Sequence, residues 1–547
     1  MTMENEKIGQ QKNEVLDKKF EDRKEKIKSW LKNKDNALFL LLMSFTTIIF
    51  IYYFFKLGEQ PIWWDEGDYL AISKVWALGQ STPEWWSHFT GMRPLLMPII
   101  WAGMFKIGLS EIVLRFFTLF IPSIAIVLLS YLIASAMYNK KIGFIAGSMM
   151  AAYWVFLFYS FRLLTDIPSV FFGMLTLYFF INIYLNKEKK YGLYLAVVFG
   201  VLAFSTRFAL ALVLISIIIY LLFVKKLALL KDKTIWKAGG VGLLCFIPYL
   251  VYFVATKFYL FNFYFGAGAV SVKQAVQWNI IPMIFSFIDP ITQTPGMPFY
   301  YHIFGFTIIL GLISMFSFFI SFDMFWRQTD KRFNYDFFII LFLIIHLVFY
   351  IIIFRAANDR WLLMLMPMIF ILCAKGIMFA YKSIKKYSLY IALLFVAVVL
   401  LAGIYQNISH ANSLIDDKRD SYREIKLGGE WLRENTPENA KIITASIVQN
   451  QYYSERQSYD FHTNDSIWSS CTDLSGAVSL NESCQLGTEE AFNTKVAELQ
   501  PDYMIVSVFE PVFTPEWVYT YPQRYNMTTV QGYANKQGRP MLVIYKF

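Results

Sequence analysis

Charged side chains make up only 16% of this 547-residue chain, and it holds just five histidines and four cysteines. So low a charge content, beside 56% hydrophobic residues and 53 phenylalanines, excludes an ordinary water-soluble protein and points to an integral membrane one. The scarcity of histidine and cysteine leaves no ligand cluster of the zinc type. Cys245 and Cys373 lie inside apolar runs, where a small apolar role is the default. Cys471 and Cys484 lie in a polar tail, at a spacing suited to a disulfide closing a short loop. No internal repeat is visible, and the tail has no nucleophile triad and no glycine-rich phosphate loop.

What is abundant is apolar runs of about 17 to 25 residues, each long enough to cross a hydrocarbon core of about 30 Å. About eleven are legible, starting near Asn36, Glu111, Ile142, Ile167, Tyr191, Phe208, Trp236, Tyr301, Asp336, Trp361 and Tyr387. The first follows a charged, helix-prone arm, Met1 to Lys34, and lacks a small-residue cleavage site, so it reads as a span and not a signal peptide. Lys140-Lys141, Lys187 with Lys189-Lys190, Lys225 through Lys237, Arg327 through Arg332 and Lys382 with Lys385-Lys386 fall in alternate connections, on the side of that basic arm. The excess of basic residues there puts the N terminus in the cytoplasm and the C terminus outside. The short apolar stretch Pro94 to Leu109 must then lie in or re-enter the outer leaflet, since a crossing there would flip every later basic loop. The net charge of +10 belongs to the cytoplasmic face and anionic membrane lipids, with no nucleic acid required.

Composition divides the chain into a cytoplasmic basic arm (1–35), a transmembrane domain (36–408) and an extracytoplasmic tail (409–547). In the tail, Tyr422–Glu434 and Glu489–Leu499 have helical spacing, whereas Lys441–Val448, Met504–Phe509 and Met541–Lys546 read as strands, an α/β pattern. Asn407, Asn481 and Asn526 open external Asn-x-Ser/Thr triplets. The long connection Lys257 to Tyr301 has the length of a lid or substrate gate, with His302 at its end.

On the outer side, charges are few and therefore informative. Asp65 and Glu66 follow the first span within Trp63-Trp64-Asp65-Glu66-Gly67-Asp68-Tyr69, and Asp65 could cap a helix. Arg93 enters the interfacial stretch, Arg162 and Asp166 share the loop before the fourth span, and Arg207 ends the fifth. Arg355, Asp359 and Arg360 precede Trp361. Carboxylates beside a bilayer are costly to dehydrate and are usually kept for function. For Arg115, Arg162 and Arg355 the bland reading is an arginine snorkelling to lipid headgroups; isolated Arg207 asks for a local reason. Short loops hold the helix ends together, so these groups could line one cavity at the outer leaflet.

Taken in order, Trp64-Asp65-Glu66-x-x-Tyr69, Arg93-Pro94-Leu95, Ser110-Glu111-x-x-x-Arg115, Leu164-Thr165-Asp166 and Asp359-Arg360-Trp361-Leu362-Leu363-Met364-x-x-Pro367 resemble the C-type glycosyltransferases. The closest likeness is to glycosyltransferase family 39, with the protein O-mannosyltransferases and aminoarabinose transferases, over about residues 36 to 405. The resemblance implies a mainly α, polytopic helical bundle with the active site on the outer side and the α/β domain beside it. It implies an inverting transfer of a sugar, a mannose-like hexose favoured, from a polyprenyl or dolichyl phosphate to a protein, lipid or glycan acceptor. On the matching positions, Asp65 is the expected base, Glu66 and Asp166 the supporting catalytic acids, and Arg93, Arg207 and Arg360 the holders of donor phosphate. Trp64, Tyr69, Arg162, Asp359, Trp361 and His302 would line the cavity. No cofactor is demanded; a divalent ion shared by Asp65 and Asp166 stays open. Asp68 stands where aminoarabinose transferases tend to carry a basic residue, which argues against that sugar. No β-trefoil insertion of the eukaryotic mannosyltransferase kind interrupts Lys257 to Tyr300. Trp63-Trp64-Asp65 also matches the Trp-Trp-Asp string of oligosaccharyltransferases, but there the string lies in the C-terminal soluble domain, so that likeness is coincidental. The alternatives from other classes are a lipid-linked sugar transporter or flippase, and a sensor that binds ligand with its tail. A transporter tends to show matching halves and broken helices at midplane, which this sequence lacks.

Overall fold

The computed structural model describes residues 33–79, 94–255, 309–315, 331–350, 359–461, 488–511, 514–535 and 537–547. Arg93, His302, Arg355, Cys471, Cys484, Asn481 and the connection from 257 to 301 lie outside them.

Seven helices among the described residues are long and apolar enough to cross a membrane. They are α1 (Lys34–Leu57), α4 (Glu111–Met137), α7 (Asp166–Leu185), α9 (Phe208–Lys231), α10 (Lys233–Ala255), α12 (Met366–Lys385) and α13 (Leu389–Lys418). Two more expected spans are shorter helices, α8 (Lys190–Thr206) and α11 (Lys331–Val348). The run expected from Ile142 is broken into α5 (Lys140–Ala152) and α6 (Trp154–Tyr159). Tyr153 turns extended there (φ −63°, ψ 122°), and the Trp154 N–H it exposes donates to Asn407 Oδ1 at 3.1 Å. Asn407 also donates to Gly403 O at 2.9 Å and is buried, so it is a brace within α13 and no glycan acceptor. The expected run starting near Tyr301 is described only over 309–315, with 309–314 helical.

Between the spans sit two short helices, α2 (Trp64–Leu78) and α3 (Leu96–Lys106). With 11 residues, α3 is about 16 Å long at 1.5 Å per residue, half of what a crossing needs. It packs against α2, Tyr69 meeting Trp101 edge to face, and it is anchored where Leu95 N donates to Tyr249 Oη at 2.8 Å.

The polar tail begins later than its composition suggests, because α13 runs unbroken through Ser409 to Lys418. Beyond it come α14 (Arg423–Asn435), β1 (Lys441–Ile443), α15 (Ile447–Ser454), β2 (Gln457–Tyr459), α16 (Glu489–Leu499), β3 (Tyr503–Ser507), β4 (Thr528–Ala534) and β5 (Pro540–Lys546). The sheet order is β2-β1-β3-β5-β4; β1 runs parallel to β2 and β3, whereas β5 runs antiparallel to β3 and β4. Neighbouring residues along a strand face opposite ways. Ile442 and Ile505 therefore join Ile425 and Leu432 of α14 on one face, while Ile443 and Met504 join Phe492 of α16 on the other. The buried positions of α14 (Ile425, Gly428, Gly429, Leu432) follow the i, i+3, i+4, i+7 stripe of an amphipathic helix.

The expected strand Lys441–Val448 stops at Ile443. After it the chain turns into α15, in which every residue is buried. This helix is wedged between the sheet and α2. At the contact, a Cβ on Gly67 would stand 2.9 Å from Val448 Cγ2 and 3.3 Å from the Gln449 backbone nitrogen, so the close approach depends on glycine. Around it, Ile62 N donates to Tyr453 Oη at 2.9 Å, Tyr452 Oη donates to Glu111 at 3.0 Å, and Lys74 bonds Tyr452 O at 3.0 Å and Glu455 at 2.5 Å. Gly67→Val is expected to push α15 off α2 at a cost on the order of 2 kcal/mol, the usual penalty of overpacking. A lower melting temperature and earlier tryptic release of the tail would show it; unchanged values would refute the tight contact.

Candidate active site

Asp65 and Asp166 both occupy the first turn of a helix, α2 and α7 respectively, where the N-terminal end of the helix dipole favours a carboxylate. Asp65 is not the cap of α2: Trp63 holds that position, and its N–H donates to Glu66 Oε2 at 2.8 Å. Each aspartate meets an arginine. Arg360, in the 3-10 turn Asp359–Met364, donates through Nη2 to Asp65 Oδ2 at 2.7 Å. Arg207, in the extended link between α8 and α9, donates to Asp166 Oδ1. The charge of one pair is felt by the other. Burial by itself would lower the pKa of Arg360, but the charges of Asp65 and Asp166 outweigh it, and the guanidinium is held well above its ordinary range. Trp361 stacks on Tyr350, and Tyr350 Oη donates to Trp361 O at 3.3 Å, which fixes the turn carrying Arg360.

Glu66 does something else. Its side chain is 0% exposed against 31% for Asp65, so the two neighbours are not interchangeable as bases. Glu66 accepts from Leu163 N at 2.6 Å and from Arg162 Nη1 at 3.3 Å, besides the Trp63 amide. Arg162 in turn donates to Pro61 O at 3.1 Å and Lys418 O at 3.3 Å, and lies over the Trp63 ring at 3.7 Å from its centroid. Burial pushes the Arg162 guanidinium down to about 10 against the pull of Glu66. Arg162 neither snorkels nor lines the opening; it clamps three chain segments. Arg115 is likewise buried, bonded to Glu111, Gln60 O and Phe161 O. Tyr69 is 6% exposed and packed in the core, whereas Trp64 and Trp361 keep part of their surface. Of the residues expected to line a cavity, Asp65, Arg207, Arg360, Trp64 and Trp361 are partly exposed, whereas Asp166, Arg162 and Tyr69 are buried. Asp359 opens the turn that carries Arg360.

The arrangement does not fit a carboxylate-bridged divalent ion. Asp65 and Asp166 each close on a guanidinium, and among the described residues no three His, Cys, Asp or Glu side chains meet in a ligand set.

Against known proteins, residues 92–252 match the family described as dolichyl-phosphate-mannose-protein mannosyltransferase, less than a third of the chain. No curated protein matches it in sequence. Among solved structures, ArnT from Cupriavidus metallidurans bound to undecaprenyl phosphate is similar at a TM-score of 0.58 and 12% identity, covering 93% of this chain and 98% of that one. The archaeal oligosaccharyltransferase AglB from Archaeoglobus fulgidus, in complex with an inhibitory peptide and a dolichol-phosphate, is similar at 0.56 and 13%, covering 87% and 70%. The chain has the C-type glycosyltransferase fold. As expected from the motifs, this fold joins a helical membrane bundle to a small C-terminal sheet. The likeness to the oligosaccharyltransferase extends over most of the chain.

Glu66→Gln would leave Arg162 as a buried charge without its counter-ion, which costs on the order of 3 kcal/mol. A large fall in melting temperature is expected, with a much smaller one for Asp65→Asn. Equal stabilities would refute the division between clamp and open acid.

Proposed function

We propose that this protein is an inverting membrane glycosyltransferase that moves a sugar, a mannose-like hexose favoured, from a polyprenyl or dolichyl phosphate to an acceptor hydroxyl. The observation that carries the reading is the four-residue group itself. Two carboxylates and two arginines, drawn from α2, α7, the α8–α9 link and the turn before α12, form two ion pairs near enough that the charge of Asp166 acts on Arg360. The partial match to a mannosyltransferase family and the two structural neighbours, one bound to undecaprenyl phosphate and one in complex with a dolichol-phosphate, support a lipid-linked donor.

The reaction follows from these charges. Breaking the bond between a sugar and a phosphate gathers positive charge on the anomeric carbon and negative charge on the departing lipid phosphate. Arg360 and Arg207 would hold that phosphate through hydrogen bonds to its oxygens, and Arg93 is assigned the same duty from its place in the motif. Phosphate oxygens at Arg360 compete with Asp65 for the guanidinium. A carboxylate that loses its cation becomes a better base, so donor binding would prepare Asp65 to accept the proton of the acceptor hydroxyl. The acceptor oxygen then bonds the anomeric carbon from the face opposite the phosphate, and the phosphate leaves with the electron pair. Asp166 keeps Arg207 in place; Glu66 keeps the first turn of α2 in place.

The basic connections put the N terminus in the cytoplasm and the site, with the domain from 409 onward, on the extracytoplasmic side. Asp65→Asn is expected to lower kcat by about a thousandfold, within the range for a lost general base, with donor binding retained. The readout is transfer from labelled polyprenyl-phosphate mannose by the purified protein. Full activity of the variant would exclude the base assignment. EDTA should leave turnover unchanged, and a metal-dependent rate would restore the bridging ion.

A further inference from the structure

The charge of Asp65 reaches a second carboxyl group, that of Glu510 in the C-terminal domain. Glu510 follows β3 in a left-handed backbone conformation (φ 54°), which is costly for a residue with a side chain and concentrates at functional sites. Its Oε1 accepts from Tyr422 Oη at 2.9 Å, and Tyr422, at the start of α14, is itself left-handed (φ 66°). The amide of Gln449 in α15 faces the same carboxyl. Gln449 is completely buried, yet neither its amide nitrogen nor its amide oxygen closes a hydrogen bond of normal geometry. Such a group is expensive to leave unsatisfied. The Gln449 backbone lies against Gly67, two residues beyond Asp65, so α15 carries Gln449 up to the first turn of α2.

The two carboxyl groups stand in different surroundings. Asp65 has the Arg360 guanidinium as its counter-charge. Glu510 has no cation paired with it among the described residues; burial raises its pKa and the charge of Asp65 raises it further, against the hydrogen bond from Tyr422 and the facing amide of Gln449. Burial and a negative charge within reach both favour the neutral form of Glu510, which donates as well as accepts a hydrogen bond, whereas a carboxylate paired with an arginine only accepts.

Resting on the glycosyl-transfer reading above, we propose that Asp65 and Glu510 bind two neighbouring hydroxyl groups of one acceptor, which makes the acceptor a glycan and not a lone serine or threonine side chain. The hydroxyl at Asp65 gives up its proton there as its oxygen bonds the anomeric carbon and the lipid phosphate leaves with the electron pair. Glu510 exchanges no proton; it fixes the second hydroxyl, with Gln449 supplying a further donor and acceptor. Glu510 is therefore a positioning residue lent to the membrane site by the tail.

The test uses the purified full-length protein, labelled polyprenyl-phosphate mannose, and three acceptors: a mannobioside, its analogue lacking the hydroxyl next to the reacting one, and a threonine peptide. The analogue with the native protein, and the mannobioside with Glu510→Ala, should each show acceptor KM raised about tenfold, the effect of one hydrogen bond. Analogue and variant combined should cost no more than either alone, because both delete the same contact. Glu510→Gln, which can still donate and accept, should recover most of the loss, and donor KM should not follow acceptor KM in any variant. Equal transfer to the peptide, additive losses, or a donor KM that moves with the acceptor KM would overturn the proposal while leaving the transferase reading intact. No transfer by the native protein to any of the three would sink both.

Discussion

The buried pair of Glu66 and Arg162 is the constraint on which the site depends. It joins the entrance to α2, the loop between α6 and α7, and the last turn of α13 through bonds to Trp63 N, Leu163 N, Pro61 O and Lys418 O. Two of those segments carry the aspartates of the site at their next residues: Asp65 precedes Glu66, and Asp166 follows Leu163 by three. Fixing the pair fixes both acids relative to each other. A buried ion pair adds little stability over an apolar core of the same shape. Its value here is registry, since its bonds reach all three segments at once.

Helix geometry explains why adjacent acids have opposite fates. At 3.6 residues per turn, Asp65 and Glu66 point roughly 100° apart around α2. One can reach Arg360 and solvent, while the other turns into the bundle toward Arg162. Trp63 contributes to both, as the cap whose N–H Glu66 accepts and as the ring over which the Arg162 guanidinium lies.

Much of this was legible in sequence because polar groups at a membrane surface are rare and each needs a reason. Asp65, Asp166, Arg207 and Arg360 stood out on those grounds, and the structure brings them together. What charge and position could not disclose was direction. Arg162 and Arg115 have the sequence setting of snorkelling arginines, yet both turn inward, because Glu66 and Glu111 wait there. Asn407 opens an Asn-x-Ser triplet, whereas its amide is used to mend the backbone at Tyr153. Hydrophobic periodicity identified α14, α16, β3 and β5 well. It failed at Lys441–Val448, where a continuous apolar run looks the same as strand or buried helix, and it passed over the short, mostly polar β2 and β4.

The placement of α15 shows why the tail cannot be an independent appendage. A helix buried on every side must have its neighbours supplied from both units, and here the sheet covers one flank and α2 the other. Through α2 the same contact reaches the first turn that bears Asp65, with Gly67 allowing the two backbones to approach. Any force that shifts the tail therefore acts on the acid of the membrane site, and any change in that acid's surroundings is felt at Tyr422 and Glu510. A two-part molecule built this way puts the ion pairs of the bundle and the polar residues of the sheet domain on either side of one packed contact.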